Sequence, residues 1–325
     1  MSSAQADESF EELKKLFEKN VIDSGAHPNE NSDAWLARIR DRLYCMFRTP
    51  LKEEYYQEAF KWVANLCLSA GDFSWLCTNN EWSEDGAKVF ACIALLSLNE
   101  FHILLPLIQR HLTCGEQLDK EGDKIIRRPA NPAEYAAFGD HLVILESTIK
   151  SLVKNQCEDD EYGGNNDLTH LMKVHELRNL LDRLRSVIGD ICGYLEVVHR
   201  YWAKLIDDTS TDIFVAAEGA LRIIAVWISE EPTSFESQCK RFLNDLFLKN
   251  LLLIGRPTNH DLVILALHSA CTSNDELLAA LRANSDHRDA LQRYLDRAQA
   301  QRGPARKEEK TFKLRCGLVK DLLSK

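Results

Sequence analysis

Residues 212–232, DIFVAAEGALRIIAVWISEEP, decide the fold of this chain. Between positions 213 and 228 only Glu218 and Arg222 carry a charge. A helix formed here has to be covered on most of its sides. The run is also shorter than the ~20 uninterrupted apolar residues that a membrane span needs. The stretch therefore predicts a helix that is enclosed by other parts of the same protein.

A β-strand is the alternative for this stretch, since LRIIAVWI is rich in β-branched residues. The length and the flanks favour a helix, because residues 210–212 are capping candidates and Pro232 can open the next helix. Glu218 and Arg222 are four residues apart and share one stripe of such a helix. A stack of helical repeats, in which each layer covers the next, needs helices of this kind.

The composition is that of a globular protein, with 45% hydrophobic and 28% charged residues in a chain of 325. The chain has only 14 glycines and 8 prolines, which disfavours a turn-rich β fold. The first residues do not resemble a signal peptide, and no segment is expected to be long and apolar enough to span a bilayer. The sequence therefore predicts a cytoplasmic protein.

Helical periodicity recurs along almost the whole chain. It predicts helices at residues 7–20, 33–47, 53–69, 85–111, 132–154, 168–205, 211–229, 233–253, 260–271, 275–283, 287–300 and 308–323. Pro106 is expected to kink or split the fourth, and Gly189 and Gly193 to weaken the sixth. Helices of this length joined by polar loops predict an all-α fold, more specifically an armadillo- or HEAT-like α-solenoid of degenerate repeats.

Three regions are predicted along the chain. Residues 1–32 form an amphipathic helix and a loop, residues 33–303 form the armadillo-like domain, and residues 304–325 form a basic C-terminal helix. The formal net charge is −10, yet residues 293–325 hold ten Lys and Arg against four Asp and Glu. The remainder of the chain, residues 1–292, is therefore strongly acidic, and we do not expect it to bind nucleic acid broadly.

The last helix is the candidate contact site. Its apolar residues recur along one side, at Phe312, Cys316, Val319, Leu322 and Leu323. The basic residues that we select for contact with an anionic surface or a partner are Arg306, Lys307, Lys310, Lys313, Arg315 and Lys320. The favoured alternative is that this helix closes the solenoid as a cap with a polar outer face. Peripheral membrane contact through the helix stays open.

Motifs that would indicate an enzyme, a cofactor or a metal are absent from the sequence, including GxGxxG, GxxxxGK[ST], GxSxG and HExxH. The ten cysteines form no CxxC pair, and we expect them to be buried thiols. His170 and His175 are five apart and would diverge on a helix, while the acidic run 158–161 lacks calcium-loop spacing. Trp35, Trp62 and Trp227 are assigned to core packing. We expect a protein that is not an enzyme and has no cofactor.

Five blocks of sequence resemble, in the same order, helices of the middle region of the neurochondrin (norbin) family. The blocks are WLARIRDRL (35–43), AFKWVANLCLSAGDFSWL (59–76), GAKVFACIALLSLNEFHILL (86–105), LRSVIGDICGYLEVV (184–198) and VAAEGALRIIAVWISEEPTSF (215–235). The most specific part is the A-x-RI-x-x-x-W-x-x-EE-x-x-S pattern of residues 220–234. The blocks fall within residues 34–277, and they are packing patterns rather than catalytic signatures.

The resemblance implies an armadillo-like cytosolic scaffold that takes part in neurite outgrowth and neuronal signalling. Its implied partners are the cytoplasmic tails of G-protein-coupled receptors and signalling kinases, including calcium/calmodulin-dependent kinase II. Lipid anchoring is not carried over, because the first cysteine, Cys45, lies within a predicted helix and the N-terminal cysteines of the family are missing. The alternative function is a chaperone or assembly factor that holds client proteins on the same kind of solenoid.

Overall fold

The chain is built of helices. The structure is a computed structural model and describes residues 3–23, 32–47, 53–77, 81–113, 131–154, 168–205, 211–231, 260–273, 275–283, 285–300 and 307–324. The helices are α1 (Ser3–Asp23), α2 (Ser32–Phe47), α3 (Glu53–Ala70), a 3-10 helix (Phe73–Leu76), α4 (Glu84–Thr113), α5 (Pro132–Lys154), α6 (Leu168–Leu171), α7 (Val174–Leu205), α8 (Thr211–Glu230), α9 (His260–Ser273), α10 (Asp275–Ala283), α11 (Ser285–Ala300) and α12 (Lys307–Ser324). No strand occurs in these ranges, and the all-α class is confirmed.

Of the two long helices expected to be interrupted or weakened, one is continuous and the other breaks at a different place. Helix α4 runs through Pro106 without splitting, although a proline removes one backbone hydrogen bond of a helix, and Leu105 and Ile108 beside it are buried. The predicted helix 168–205 is broken between Leu171 and Val174, whereas α7 continues through both of its glycines. The predicted helix 233–253, the acidic run 158–161 and Arg306 lie outside the described ranges.

The chain divides into two compact units whose boundaries fall inside helices. The first unit comprises Met1–Pro106 with Ala136–Val187, and the second comprises Leu107–Tyr135 with Ile188–Lys325. Helix α1 packs on α2 in the first unit, and α12 packs on α9 in the second. These boundaries differ from those predicted after residues 32 and 303, and the predicted three-part division stays a prediction.

Aromatic contacts fill the core of the first unit. The rings of Phe73 and Phe90 meet edge to face with their centroids 5.1 Å apart, and those of Phe101 and Phe138 stack at 5.0 Å. The backbone N–H of Phe73 donates to Ser151 Oγ at 2.9 Å. The 3-10 helix, α4 and α5 are therefore joined through buried side chains.

The 3-10 helix is held at both ends. At its start, Asp72 Oδ1 accepts a hydrogen bond from the backbone N–H of Ser74 at 2.7 Å. At its end, the Arg40 guanidinium from α2 donates to the carbonyl oxygens of Leu76 and Cys77 at 2.7 and 3.1 Å. Carbonyls at the end of a helix lack partners within it, and Arg40 supplies a charged donor for two of them.

Replacing Arg40 with alanine is expected to lower the free energy of unfolding by roughly 1.5–3 kcal/mol, because hydrogen bonds to a charged group are lost from a half-buried site. Urea unfolding followed by circular dichroism measures the change. The matched control is Arg38→Ala on the same helix, where the side chain is 59% exposed and an exposed ion pair contributes about 0–1 kcal/mol. Equal losses of unfolding free energy in the two variants would contradict the conclusion that the hydrogen bonds of Arg40 stabilise the protein.

Helix α8 is enclosed in the second unit, as its sequence predicts. It packs on α9, and Ala217, Ala220, Ile223 and Ala225 are fully buried. These four positions do not lie on a single stripe, since they point in several directions around a helix. The prediction that this stretch is an enclosed helix is confirmed.

Helix α4 contradicts the expectation that no segment is long and apolar enough to span a bilayer. Residues Glu84–Arg110 of α4 are long and apolar enough to cross a membrane by length and composition, and no other helix in the described part of the chain meets that test. The expectation that no segment would do so is wrong, because residues 89–106 carry a single charge, at Glu100. The core helix of a folded protein meets the same test, and Phe90 and Phe101 of α4 are fully buried.

Candidate interaction surface

The candidate contact site is on α12, and its inner side is packed. Helix α12 contacts α9, α10 and α11, and Cys316 and Val319 on its inner side are fully buried. Leu322, which is predicted to lie on the same side, is half-buried. Helix α12 therefore packs against the three helices that precede it.

Two polar contacts fix α12 to its neighbours. Lys320 Nζ lies 2.7 Å from Asp296 Oδ1 on α11, and Arg282 Nε on α10 donates to the carbonyl oxygen of Leu322 at 2.8 Å. The hydrogen bond from Lys320 holds the pKa of Asp296 below its usual value. The charge of Lys320 is therefore compensated within the chain.

The structure describes the predicted contact residues unequally. Lys313 is exposed, Arg315 is half-buried and Lys320 is paired with Asp296. Lys307 and Lys310 belong to α12, but their side chains are not described, and Arg306 precedes the helix in an undescribed stretch. Within the described part of the helix, Lys313 is thus the most exposed of the predicted basic contacts.

The outer side of α12 carries an apolar pair that the sequence reasoning missed. Leu314 is 64% exposed and Leu318 is 41% exposed. They are four residues apart and therefore neighbours on one face of the helix. The exposed Lys313 precedes Leu314 in sequence and lies about 100° from it around the helix. We call Leu314 and Leu318 the α12 outer face.

The other exposed large apolar side chains are scattered. In the described ranges they are Leu68 on α3, Ile103 on α4, Val174 on α7 and Val215 on α8. Each of these is on a different helix, and single exposed apolar residues are ordinary on protein surfaces. Leu314 and Leu318 are the pair that occupies adjacent turns of one helix among the described residues.

A serine and a histidine lie within hydrogen-bond distance in the first unit. Ser97 Oγ and His141 Nδ1 are 2.8 Å apart, and both side chains are buried. Burial lowers the pKa of His141 to about 3, so the imidazole is neutral at physiological pH. Because both side chains are enclosed, we assign the pair to core hydrogen bonding.

Other potential nucleophiles and ligands are also enclosed or scattered. Burial raises the pKa of Cys67 to about 12 and that of Cys271 to about 11, which keeps both thiols protonated near neutral pH. His170 and His175 are both exposed. No group of three or more His, Cys, Asp or Glu in the described ranges is placed to hold a metal ion.

Comparison with family models, with curated proteins and with solved structures gives no match to this chain. The class that the structure defines is an all-α protein of packed helices. The neurochondrin resemblance and the solenoid arrangement therefore enter the proposal below as hypotheses.

Proposed function

We propose that this protein is a non-enzymatic, cytoplasmic interaction scaffold: an armadillo-like α-solenoid of neurochondrin type. One observation carries the proposal, namely the exposed pair Leu314 and Leu318 on a helix whose inner side is anchored. Apolar side chains that remain exposed on adjacent turns of a packed helix are typical of a contact surface. The all-helical fold and the colinear sequence blocks agree with this class.

The partner would bind the α12 outer face in a groove that accepts one side of a helix. Leu314 and Leu318 would enter an apolar groove, and Lys310 and Lys313 would meet acidic groups at its rim. The neurochondrin resemblance indicates receptor cytoplasmic tails or signalling kinases as this partner, and neurite outgrowth as the process. Nucleic acid is not a proposed partner, because the chain carries a formal net charge of −10.

The double variant Leu314→Asp/Leu318→Asp is expected to capture at least tenfold less of the partner from neuronal lysate than the wild type does, because burying a charged aspartate in an apolar groove is costly. Quantitative mass spectrometry of captured proteins measures the loss. Leu68→Asp is the matched control, since Leu68 is 61% exposed on another helix. Circular dichroism should be unchanged for both variants.

The identity of what is lost separates the alternatives. Loss of receptors or kinases supports the scaffold, whereas loss of nascent or unassembled chains would support a chaperone or assembly factor. Pelleting of the wild type, but not the double variant, with phosphatidylserine vesicles would instead assign the face to a membrane. Retention of every captured protein by the double variant contradicts the proposal.

A further inference from the structure

One arginine of the first unit is held in place by two neutral side chains. Arg183 on α7 donates a hydrogen bond from Nε to Asn179 Oδ1 at 3.1 Å, and another from Nη1 to Asn99 Oδ1 on α4. Asn99 and Arg183 are 84 residues apart along the chain, so the guanidinium joins two distant helices. We call Arg183, Asn99 and Asn179 the arginine clamp.

The positive charge of Arg183 has no counter-ion in the described part of the chain. Both of its hydrogen-bond partners are neutral amides, and no carboxylate of the described residues lies within ion-pair distance of it. The acids nearest to it on α7 have other partners: Asp182 pairs with Arg185 at 3.6 Å and Glu176 with Lys173 at 3.9 Å. A half-buried guanidinium that is already fixed in one orientation loses little freedom when it binds an anion.

The clamp also has hydrogen-bond donors to offer. A guanidinium has five N–H donors, and Arg183 uses one on Nε and one on Nη1, so both hydrogens of Nη2 and the second of Nη1 remain. Each asparagine accepts through Oδ1, and its amide nitrogen donates to no other described residue. N–H donors thus surround one positive charge. A carboxylate, which is planar and accepts through two oxygens, fits this arrangement.

An exposed apolar strip continues from the clamp along α4. Asn99, Ile103 and Pro106 follow the spacing i, i+4 and i+7, which puts them on one side of the helix, and all three are exposed. Ile103 alone would be an ordinary surface residue, but beside a fixed cation it supplies a second contact. Four residues of helical rise place Ile103 about 6 Å beyond Asn99 along the helix axis.

We propose that the arginine clamp and Ile103 form a binding site for an extended acidic segment of a partner protein. A carboxylate of this segment pairs with Arg183, and an apolar side chain two residues away covers Ile103. Side chains two residues apart in an extended peptide lie on the same side and about 6.5–7 Å apart, which matches the spacing along α4. The site lies in the first unit and goes beyond the proposed function, which rests on the α12 outer face in the second.

The probe for this site is a library of nine-residue peptides with a central glutamate and random flanks. The full-length wild-type chain is expected to select peptides with a large apolar residue two positions from the glutamate. It should bind a selected peptide at least tenfold more tightly than the same peptide with glutamine, because a hydrogen-bonded charge pair is lost. Fluorescence anisotropy of the labelled peptides measures both affinities.

Arg183→Gln is expected to lower the affinity for the glutamate peptide at least tenfold and to leave that for the glutamine peptide unchanged. The matched control is Arg178→Gln, which removes the same charge from an exposed position on α7 that lies outside the clamp. This control should change the affinity less than twofold. Ile103→Ser should remove the preference for an apolar residue in the peptide and retain the preference for glutamate.

A second variant keeps the test decisive if Arg183→Gln does not fold. Asn99→Asp keeps the size of the side chain and gives Arg183 an internal carboxylate, so it should lower the affinity for the glutamate peptide at least tenfold with an unchanged circular dichroism spectrum. The inference fails if folded Asn99→Asp binds this peptide as the wild type does, or if the wild type selects no peptide whose binding depends on Arg183. A preference for a matched phosphoserine library would likewise contradict a carboxylate site. Leu314→Asp/Leu318→Asp should leave peptide binding unchanged, so this site and the α12 outer face can fail independently.

Discussion

Replacing Ile223 with alanine is expected to lower the free energy of unfolding by roughly 2–5 kcal/mol, the range for deleting a large aliphatic side chain from a core. Ile223 is fully buried on α8, and α8 packs on α9. The loss combines the transfer free energy of the removed methyl groups with a cavity that the neighbours fill only in part. Denaturant unfolding followed by circular dichroism measures it.

Val215→Ala is the matched control for this prediction. Val215 is on the same helix and 49% exposed, and surface substitutions of this kind change stability by no more than about 0.5 kcal/mol. A similar loss in both variants would mean that burial does not decide stability along α8. A small loss for Ile223→Ala alone would mean that the surrounding side chains collapse into the cavity.

The helices could be predicted closely because their signals are local. The predicted bounds of the fifth helix, 132–154, coincide with α5, where Pro132 occupies the first turn. Those of the predicted helix 275–283 coincide with α10, where Asp275 and Glu276 lie in the first turn. Capping residues, first-turn acids and a 3.6-residue period are all contained within a single segment, so no knowledge of its neighbours is needed.

Which side of a helix packs could be predicted only in part. Helix α12 has one apolar stripe through Cys316 and Val319 and another through Leu314 and Leu318. The first was predicted to pack and is buried, whereas the second was missed and is exposed. The sequence pattern of the helix does not tell which of its two apolar stripes packs. That choice depends on the helices that cover one stripe, and these come from other parts of the chain.

The ring contacts between α1 and the two helices that follow it could not be predicted for the same reason. Trp62 is buried, as its assignment to core packing predicts, and Trp35 is half-buried; both rings meet Phe17 from α1. Contacts between side chains on three different helices depend on the tertiary arrangement, and helical periodicity holds no information on it. The solenoid arrangement also depends on how distant helices pack together, so it remains part of the proposal.

The pH dependence of stability is expected to be governed in part by two adjacent residues with opposite shifts. His141 hydrogen-bonds to Ser97 and meets the ring of Phe60 with centroids 4.6 Å apart. Burial lowers its pKa from 6.5 to about 3. Burial also raises the pKa of the Asp140 carboxyl from 3.8 to about 6; Lys61 partly opposes this shift and Glu58 adds to it.

The two shifts have opposite consequences as the pH falls. Between pH 6.5 and 3 the unfolded chain protonates His141 while the folded chain does not, so acid favours unfolding. Between pH 6 and 3.8 the folded chain protonates Asp140 while the unfolded chain does not, so acid favours folding. Each fully developed difference corresponds to a slope of about 1.4 kcal/mol per pH unit. The slope from Asp140 is smaller, because that residue is only half-buried and solvent screens its charge.

Between pH 6 and 4 the Asp140→Asn variant is therefore expected to lose markedly more unfolding free energy on acidification than the wild type. The variant lacks the carboxyl whose protonation stabilises the folded chain in this range. His141→Gln, which retains a hydrogen-bonding side chain without titrating in this range, should show the reverse difference and lose less stability on acidification than the wild type. Urea unfolding at half-unit pH intervals measures both slopes. The other titrating groups of the chain are common to the three proteins, so their contribution cancels in the differences. Parallel pH profiles for wild type and His141→Gln would mean that His141 takes up its proton in the folded state and that the core around Ser97 and Phe60 admits water.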